Sequence, residues 1–217
     1  MPLADFQTLV DRFTRDPSGL VTDDDRDQAI ELATIRYSTD RPRKILAMVT
    51  ADAAMVALPA GWEDGFSTLL EVSRPSGTDG PVAAEVVDTI DGPRLYFCEA
   101  VTGDVVVQFT VRHAVDALAD TVTIRDREAV CRWAAGILLD QLSSARAGDQ
   151  ETTLDADSVD HNSVSAEYAA RARAMRQAYY DHLSIDPKRT TPAATIVDLD
   201  LRDSRGRDRL IHRGGYR

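Results

Sequence analysis

Four histidines and two cysteines are the side chains from which a metal site or a thiol nucleophile would be built. His113, His161, His182 and His212 lie far apart, and none has a partner at the short spacing a zinc centre uses. Cys98 and Cys131 do not form a C-x-x-C pair and read as buried packing residues. The stretch LDADSVDH, residues 154–161, offers Asp155, Asp157 and Asp160 and so looks like the start of a calcium loop. It lacks the central glycine, and its twelfth position is Ala166 where the closing acid belongs. It reads as a solvated acidic loop. No G-x-S-x-G elbow, phosphate-cradling glycine loop or H-E-x-x-H helix occurs, and Ser67 in GFSTL is wrongly flanked for a nucleophile. A pair of hydrolytic carboxylates can be remote in sequence, but every acid here is explained as surface charge. The expectation is no catalytic residue, no metal ligand and no cofactor.

Trp62 is the more informative side chain. In LPAGWEDGFSTLLEVSRP a strand ends at Leu58-Pro59, and Gly61 and Gly65 then flank a Trp, two acids and Phe66. The segment is either an aromatic plug over one end of a β module, or an exposed contact in which Trp62 and Phe66 meet a neighbouring subunit.

The elements that would position these residues follow from apolar spacing. Leu3, Phe6, Val10 and Phe13 mark one helical face, ended by Asp16 and the Pro-Ser-Gly that follows. Thr22 caps a second helix, with Asp23, Asp24 and Asp25 at its positive end and Ala29, Ile30, Ala33 and Tyr37 on its buried stripe. Arg41-Pro42-Arg43 stops it. After Lys44, ILAMVTA and AMVALP read as a hairpin, followed by LLEVSRP, AAEVVDTI, RLYFCEA and VVVQFTVRH. Asp91-Gly92 is a hairpin turn, and Thr102-Gly103-Asp104 is another. Val105, Val107, Phe109 and Val111 alternate with a mostly polar set, as on a half-exposed antiparallel sheet in a small sandwich or barrel.

Helix returns at Thr123, with Val130, Trp133, Ala134, Ile137 and Leu138 on one side. These should meet Ile30, Ala33 and Tyr37. A fourth helix carries Tyr168, Ala172, Met175, Tyr179 and Leu183, completes that core, and is stopped by Pro187. The fold class is α+β: a four-helix layer interrupted by a small antiparallel β module, with an extended C-terminal arm. The divisions are 1–43 for the first two helices, 44–120 for the β module, 121–186 for the last two helices and 187–217 for the arm.

With 43% hydrophobic and 28% charged residues, the chain of 217 residues is of globular composition. No run approaches the roughly 20 apolar residues of a membrane helix. The N-terminus has an acid where a secretory signal has basic residues, so a reducing cytoplasm is expected. The net charge of −11 is uneven. Residues 186–217 hold eight Lys or Arg against five Asp or Glu, a net +3 that leaves −14 on the rest. Such a body does not wrap a nucleic-acid backbone. The basic tail is the part that would seek an acidic partner.

RYSTDRPR closing an early helix, LPAGWEDGFSTLLEVSRP after a short β run, the DG turn before RLYFCEA, the strand ending VRHAV, and DREAVCRWAAGILLDQLSSARAGD opening the helical return form an ordered set. That order, over about residues 22–185, resembles the head–tail connector, or adaptor, proteins of tailed bacteriophages. The resemblance implies a structural virion protein in the neck, made in the host cytoplasm, that forms a ring, usually of twelve copies, beneath the portal. Its implied partners are the portal protein, neighbouring copies and the next neck or tail protein. DNA would pass through its channel without sequence-specific binding, and no membrane is involved. An acidic channel suits that passage because it repels phosphates. The size of the β module departs from the minimal family pattern.

The resemblance also implies a C-terminal arm that docks on the portal. Thr195, Val197, Leu199 and Leu201 lie on one side of an extended run and suit strand addition to a partner's edge. Arg202, Arg205, Arg207, Arg209 and Arg213 follow and would meet acidic patches on the portal or on an adjacent connector subunit. The alternatives are another neck or tail-completion protein, or a binding module or enzyme that uses the β insert for recognition.

Overall fold

The computed structural model describes residues 2–16, 19–75, 80–147 and 164–187. Helix α1 (Leu3–Thr14) ends where Arg15 takes a left-handed backbone, φ 46°. Helix α2 (Asp23–Asp40) opens on a full capping box. The Thr22 hydroxyl accepts from the Asp25 backbone N–H, and the Asp25 carboxylate accepts from the Thr22 N–H at 3.0 Å. The Thr22 hydroxyl also donates to this carboxylate at 2.6 Å, and that bond, with the one from the Thr22 N–H, holds the Asp25 carboxyl below its ordinary range.

The β region has six strands, β1 (Arg43–Ala51), β2 (Met55–Ala57), β3 (Leu69–Ser73), β4 (Ala84–Thr89), β5 (Gly92–Phe97) and β6 (Gly103–Val111). They form two three-stranded antiparallel sheets, ordered β1-β6-β3 and β2-β5-β4. Val105, Val107 and Phe109 of the first sheet share one core with Val56, Leu95 and Phe97 of the second, so the module is a small sandwich. The Asp91-Gly92 hairpin forms as expected, with Thr89 opposite Gly92 and Gly92 at φ 105°. The expected hairpin between β1 and β2 does not form. The chain crosses at 52–54 from one sheet to the other, and β1 pairs with β6 while β2 pairs with β5. The expected turn at Thr102-Gly103-Asp104 does not form, because Gly103 and Asp104 already belong to β6, which lies in a different sheet from β5. On the polar side of β6, Thr110 is buried and its hydroxyl accepts from the Thr68 N–H at 2.8 Å.

Helix α3 (Arg127–Ala145) is preceded by a single 3-10 turn, Ile124–Asp126, so the α-helix starts four residues after Thr123. Helix α4 (Val164–Leu183) stops at Ser184, φ 57°, ahead of Pro187. The Ile185 N–H bonds back to the Tyr180 carbonyl, which closes the last turn without any help from the proline.

One core joins α1, α2, α3 and the end of α4: Phe6, Val10, Ile30, Tyr37, Val130 and Leu138 belong to it, with Tyr179 and Leu183. Trp133 packs against this core half-buried, 4.9 Å from the Tyr179 ring, with the Arg36 guanidinium 5.5 Å over its face. Tyr168 and Met175 lie outside it. They pack with Leu139, Leu142 and Ala172 in a second, smaller cluster between α3 and α4. The two helices can approach closely because α3 carries Gly136 at the crossing. A Cβ there would stand 3.4 Å from the Ala172 carbonyl oxygen and 3.3 Å from the Arg176 side chain. Gly136→Val is expected to cost about 1–3 kcal/mol through overpacking. Urea denaturation would check this, and an unchanged midpoint would show that the crossing has slack.

The boundary of the β module falls earlier than 120. Its last strand ends at Val111, and Val115 and Val122 pack with the helical core instead. The Leu3 N–H also bonds to the Asp116 carbonyl at 3.0 Å. Met1–Ile185 is one compact unit, and Asp186–Arg217 is a second.

Candidate interaction surfaces

Most converging polar side chains are engaged in holding the helices together. Asp126 is 2% exposed, a buried acid that sequence reasoning had assigned to the surface. Its carboxylate accepts from the Tyr37 hydroxyl at 2.8 Å, from Arg41 at 3.1 Å and faces His182 Nε2 at 3.0 Å. Burial pushes the Asp126 carboxyl up, but the Tyr37 and His182 hydrogen bonds and the Arg41 charge outweigh it and leave the group below its ordinary range. A second, partly buried knot centres on Asp40. Asp40 takes two bonds from Arg36, at 2.9 and 3.0 Å, and one from the Tyr179 hydroxyl at 2.8 Å. Burial first, and then the Asp40 bond and charge, push the Tyr179 phenol far up.

His182 borders a shallow hollow of about 160 Å³ lined by Glu128, Ala129, Arg132 and Ala178, with no Ser, Thr or Cys beside it. His113 has a connecting role. Its Nδ1 lies 2.8 Å from the Thr121 carbonyl oxygen and its Nε2 lies 3.0 Å from that of Arg41. Its backbone N–H donates to Ser38 Oγ at 2.9 Å, and its ring packs at a tilt against Tyr37, 4.8 Å between centres. The histidine thus ties together the two chain segments through which the β module joins the helices. Among the described residues, no three His, Cys, Asp or Glu side chains converge as a metal site. Asp155, Asp157, Asp160, His161 and His212 lie outside the described residues.

Cys131 is fully buried in the helical core, and burial, with a smaller push from Glu128, raises its thiol to about 12. Cys98 is exposed rather than buried, which corrects the packing expectation.

Trp62 is half-buried. Its ring lies 5.5 Å from Phe109 and packs on the sandwich core, so it plugs that end of the module. Gly61 and Gly65, at φ 87° and 77°, let the loop turn on either side of it. Phe66 is half-buried beneath the Arg112 guanidinium, 5.3 Å from the ring centre, and Arg112 also pairs with Glu63 at 3.4 Å. Both aromatic rings keep an exposed edge.

Among the described residues, two of the surfaces that carry apolar side chains in water bear on partner contact. On the outer face of β1, Leu46 and Met48 are each 66% exposed, with Val106 opposite Met48 across the ladder. The second is a groove of about 780 Å³ between α2 and the segment that leaves β6. Ile35 and the half-buried Val115 contribute its apolar surface, and Asp24, Glu31 and Asp116 stand around it.

No family model matches this chain, and no curated protein does.

The arm residues, Thr195, Val197, Leu199, Leu201, Arg202, Arg205, Arg207, Arg209 and Arg213, also lie outside the described residues. Among the described residues no helix is long and apolar enough to cross a membrane. The groove was missed in the sequence because it is made by residues 24–35 and 112–116 together. The one local signal was the pair Leu32 and Ile35, apolar residues on the side of α2 away from its buried stripe.

Proposed function

We propose that this chain is a structural component of a tailed-phage neck, a head–tail connector whose copies form a ring on the portal and let DNA pass to the tail. The observation that carries the reading is the architecture. Two helices, an inserted β sandwich and two further helices form one compact unit, followed by a separate basic arm. The polar side chains that meet in the interior are spent on helix–helix bonds rather than gathered around a cavity. The exposed Leu46 and Met48 face suits contact with another protein. The acidic body suits a DNA channel. On this reading the protein is not an enzyme and needs no cofactor, and Trp62 and Phe66 offer their exposed edges to a neighbouring copy.

The arm is the attachment device. Exposed ion pairs add little each, so the row Thr195, Val197, Leu199 and Leu201 dominates affinity for the portal, and the arginines that follow meet acidic patches on the portal or the adjacent copy. The test is co-sedimentation with the portal protein of the same genome. The full chain is expected to bind. A chain lacking residues 190–217 is expected to keep its helical circular dichroism and lose portal binding. Binding of the shortened chain at normal affinity would remove the arm from the mechanism. Binding of the full chain to isolated tails but not to portals would make it a tail-completion protein instead.

A further inference from the structure

The groove between α2 and the β6 exit has a lining that selects its ligand. Its exposed apolar surface comes from Ile35, 40% exposed, and the half-buried Val115, with Ile30 buried in the lining. Around it stand Asp24, Asp25, Asp27, Glu31 and Asp116, against one cation, Arg112. Two of these acids are already engaged, Asp25 with Thr22 and Asp27 with Gln7. The carboxylates of Asp24, Glu31 and Asp116 make no hydrogen bond or ion pair among the described residues. A volume of about 780 Å³ is within the range that takes a short peptide. The fitting ligand is therefore a short segment with apolar side chains between positive charges.

The chain contains such a segment. Residues 209–213 read RLIHR, with Leu210 and Ile211 between Arg209 and Arg213, inside a stretch that also carries Arg202, Arg205 and Arg207. From Pro187 to Arg209 there are 22 residues, enough for an extended reach of about 70 Å. That span is long enough to reach a neighbouring copy. We infer that the basic end of the arm docks in the acidic groove of a neighbouring copy, with Leu210 and Ile211 against the apolar wall and Arg209 and Arg213 facing Glu31, Asp24 and Asp116. This rests on the ring reading only for the presence of a neighbour. It divides the arm into two functions: the apolar row at 195–201 holds the portal, and the basic end clasps the adjacent subunit.

The test uses the full chain without portal, so it stands apart from the portal experiment. A photo-cross-linking amino acid replaces Ile211, and this protein is mixed at millimolar concentration with isotope-labelled chain that lacks the cross-linker. Mass spectrometry of the linked peptides is expected to show mixed-isotope pairs joining position 211 to residues 24–35 or 112–116. The triple variant Asp24→Lys, Glu31→Lys, Asp116→Lys alters exposed residues and should remain folded. It should lower the yield of these links roughly tenfold, as should high salt. Arg209→Glu with Arg213→Glu should restore the yield when paired with that variant. Links within a single copy, links to the Leu46–Met48 face, or no links to the groove would each overturn the inference. Retention of portal binding in that case would leave the connector reading standing.

Discussion

Replacing Asp126 with alanine is expected to destabilise the helical layer by about 3 kcal/mol. Removing one partner of a buried ion pair costs roughly 3–5 kcal/mol because the other charge is stranded. The lower figure applies because Arg41, at 37% side-chain exposure, can rehydrate and keeps its bond to the Leu183 carbonyl. Tyr37 has no such relief. Its hydroxyl is left with only Thr123, at 3.4 Å. The effect is also pH-dependent. The Asp126 carboxyl titrates below its ordinary value of 3.8 in the folded protein, so its stabilisation is complete above that value and fades as pH falls through the folded pKa. Denaturation at pH 7 and through the range below pH 4 checks both points. Asp126→Asn should be less stable than the natural chain at pH 7 and should converge on it in acid. Equal midpoints at pH 7 would mean that the Tyr37–Arg41–His182 knot contributes nothing.

Phe109→Ala is expected to cost about 3–5 kcal/mol, read in the β module and not in the helices. Phe109 is fully buried on β6, the central strand of its sheet, and Trp62 rests against it. The sandwich core and the helical core share no residue. The module should therefore open while the helices persist. Amide hydrogen exchange would show protection lost across β1, β3 and β6 and retained in α3. Equal loss in α3 would show that the His113 links make the two layers one cooperative unit.

The parts of the fold that sequence made legible are those with local causes. Thr22 followed by three aspartates is a cap whatever surrounds it, Asp91-Gly92 makes its own turn, and the alternation from Val105 to Val111 needs only a sheet with one wet face. The β1–β2 hairpin failed because a run of strand residues states its direction and not its partner. A three-residue strand takes its pairing from β5, some forty residues away. Nothing local marks Asp126 as buried, since Arg125 and Arg127 flank it. Its partners Tyr37, Arg41 and His182 are 89, 85 and 56 residues distant. The acidic groove was hidden for the same reason, since neither of its two walls has a pattern of its own.

The first and last residues of the sandwich, Arg43 and Val111, stand opposite each other in the β1–β6 ladder. Residues so paired are only about 5 Å apart. The sandwich therefore enters and leaves the helical layer through a single doorway, and a short peptide joining Arg41 to His113 could close it. Related lineages could gain, lose or exchange such a unit without redrawing any helix contact. A graft of foreign sequence at this doorway would inherit the same freedom.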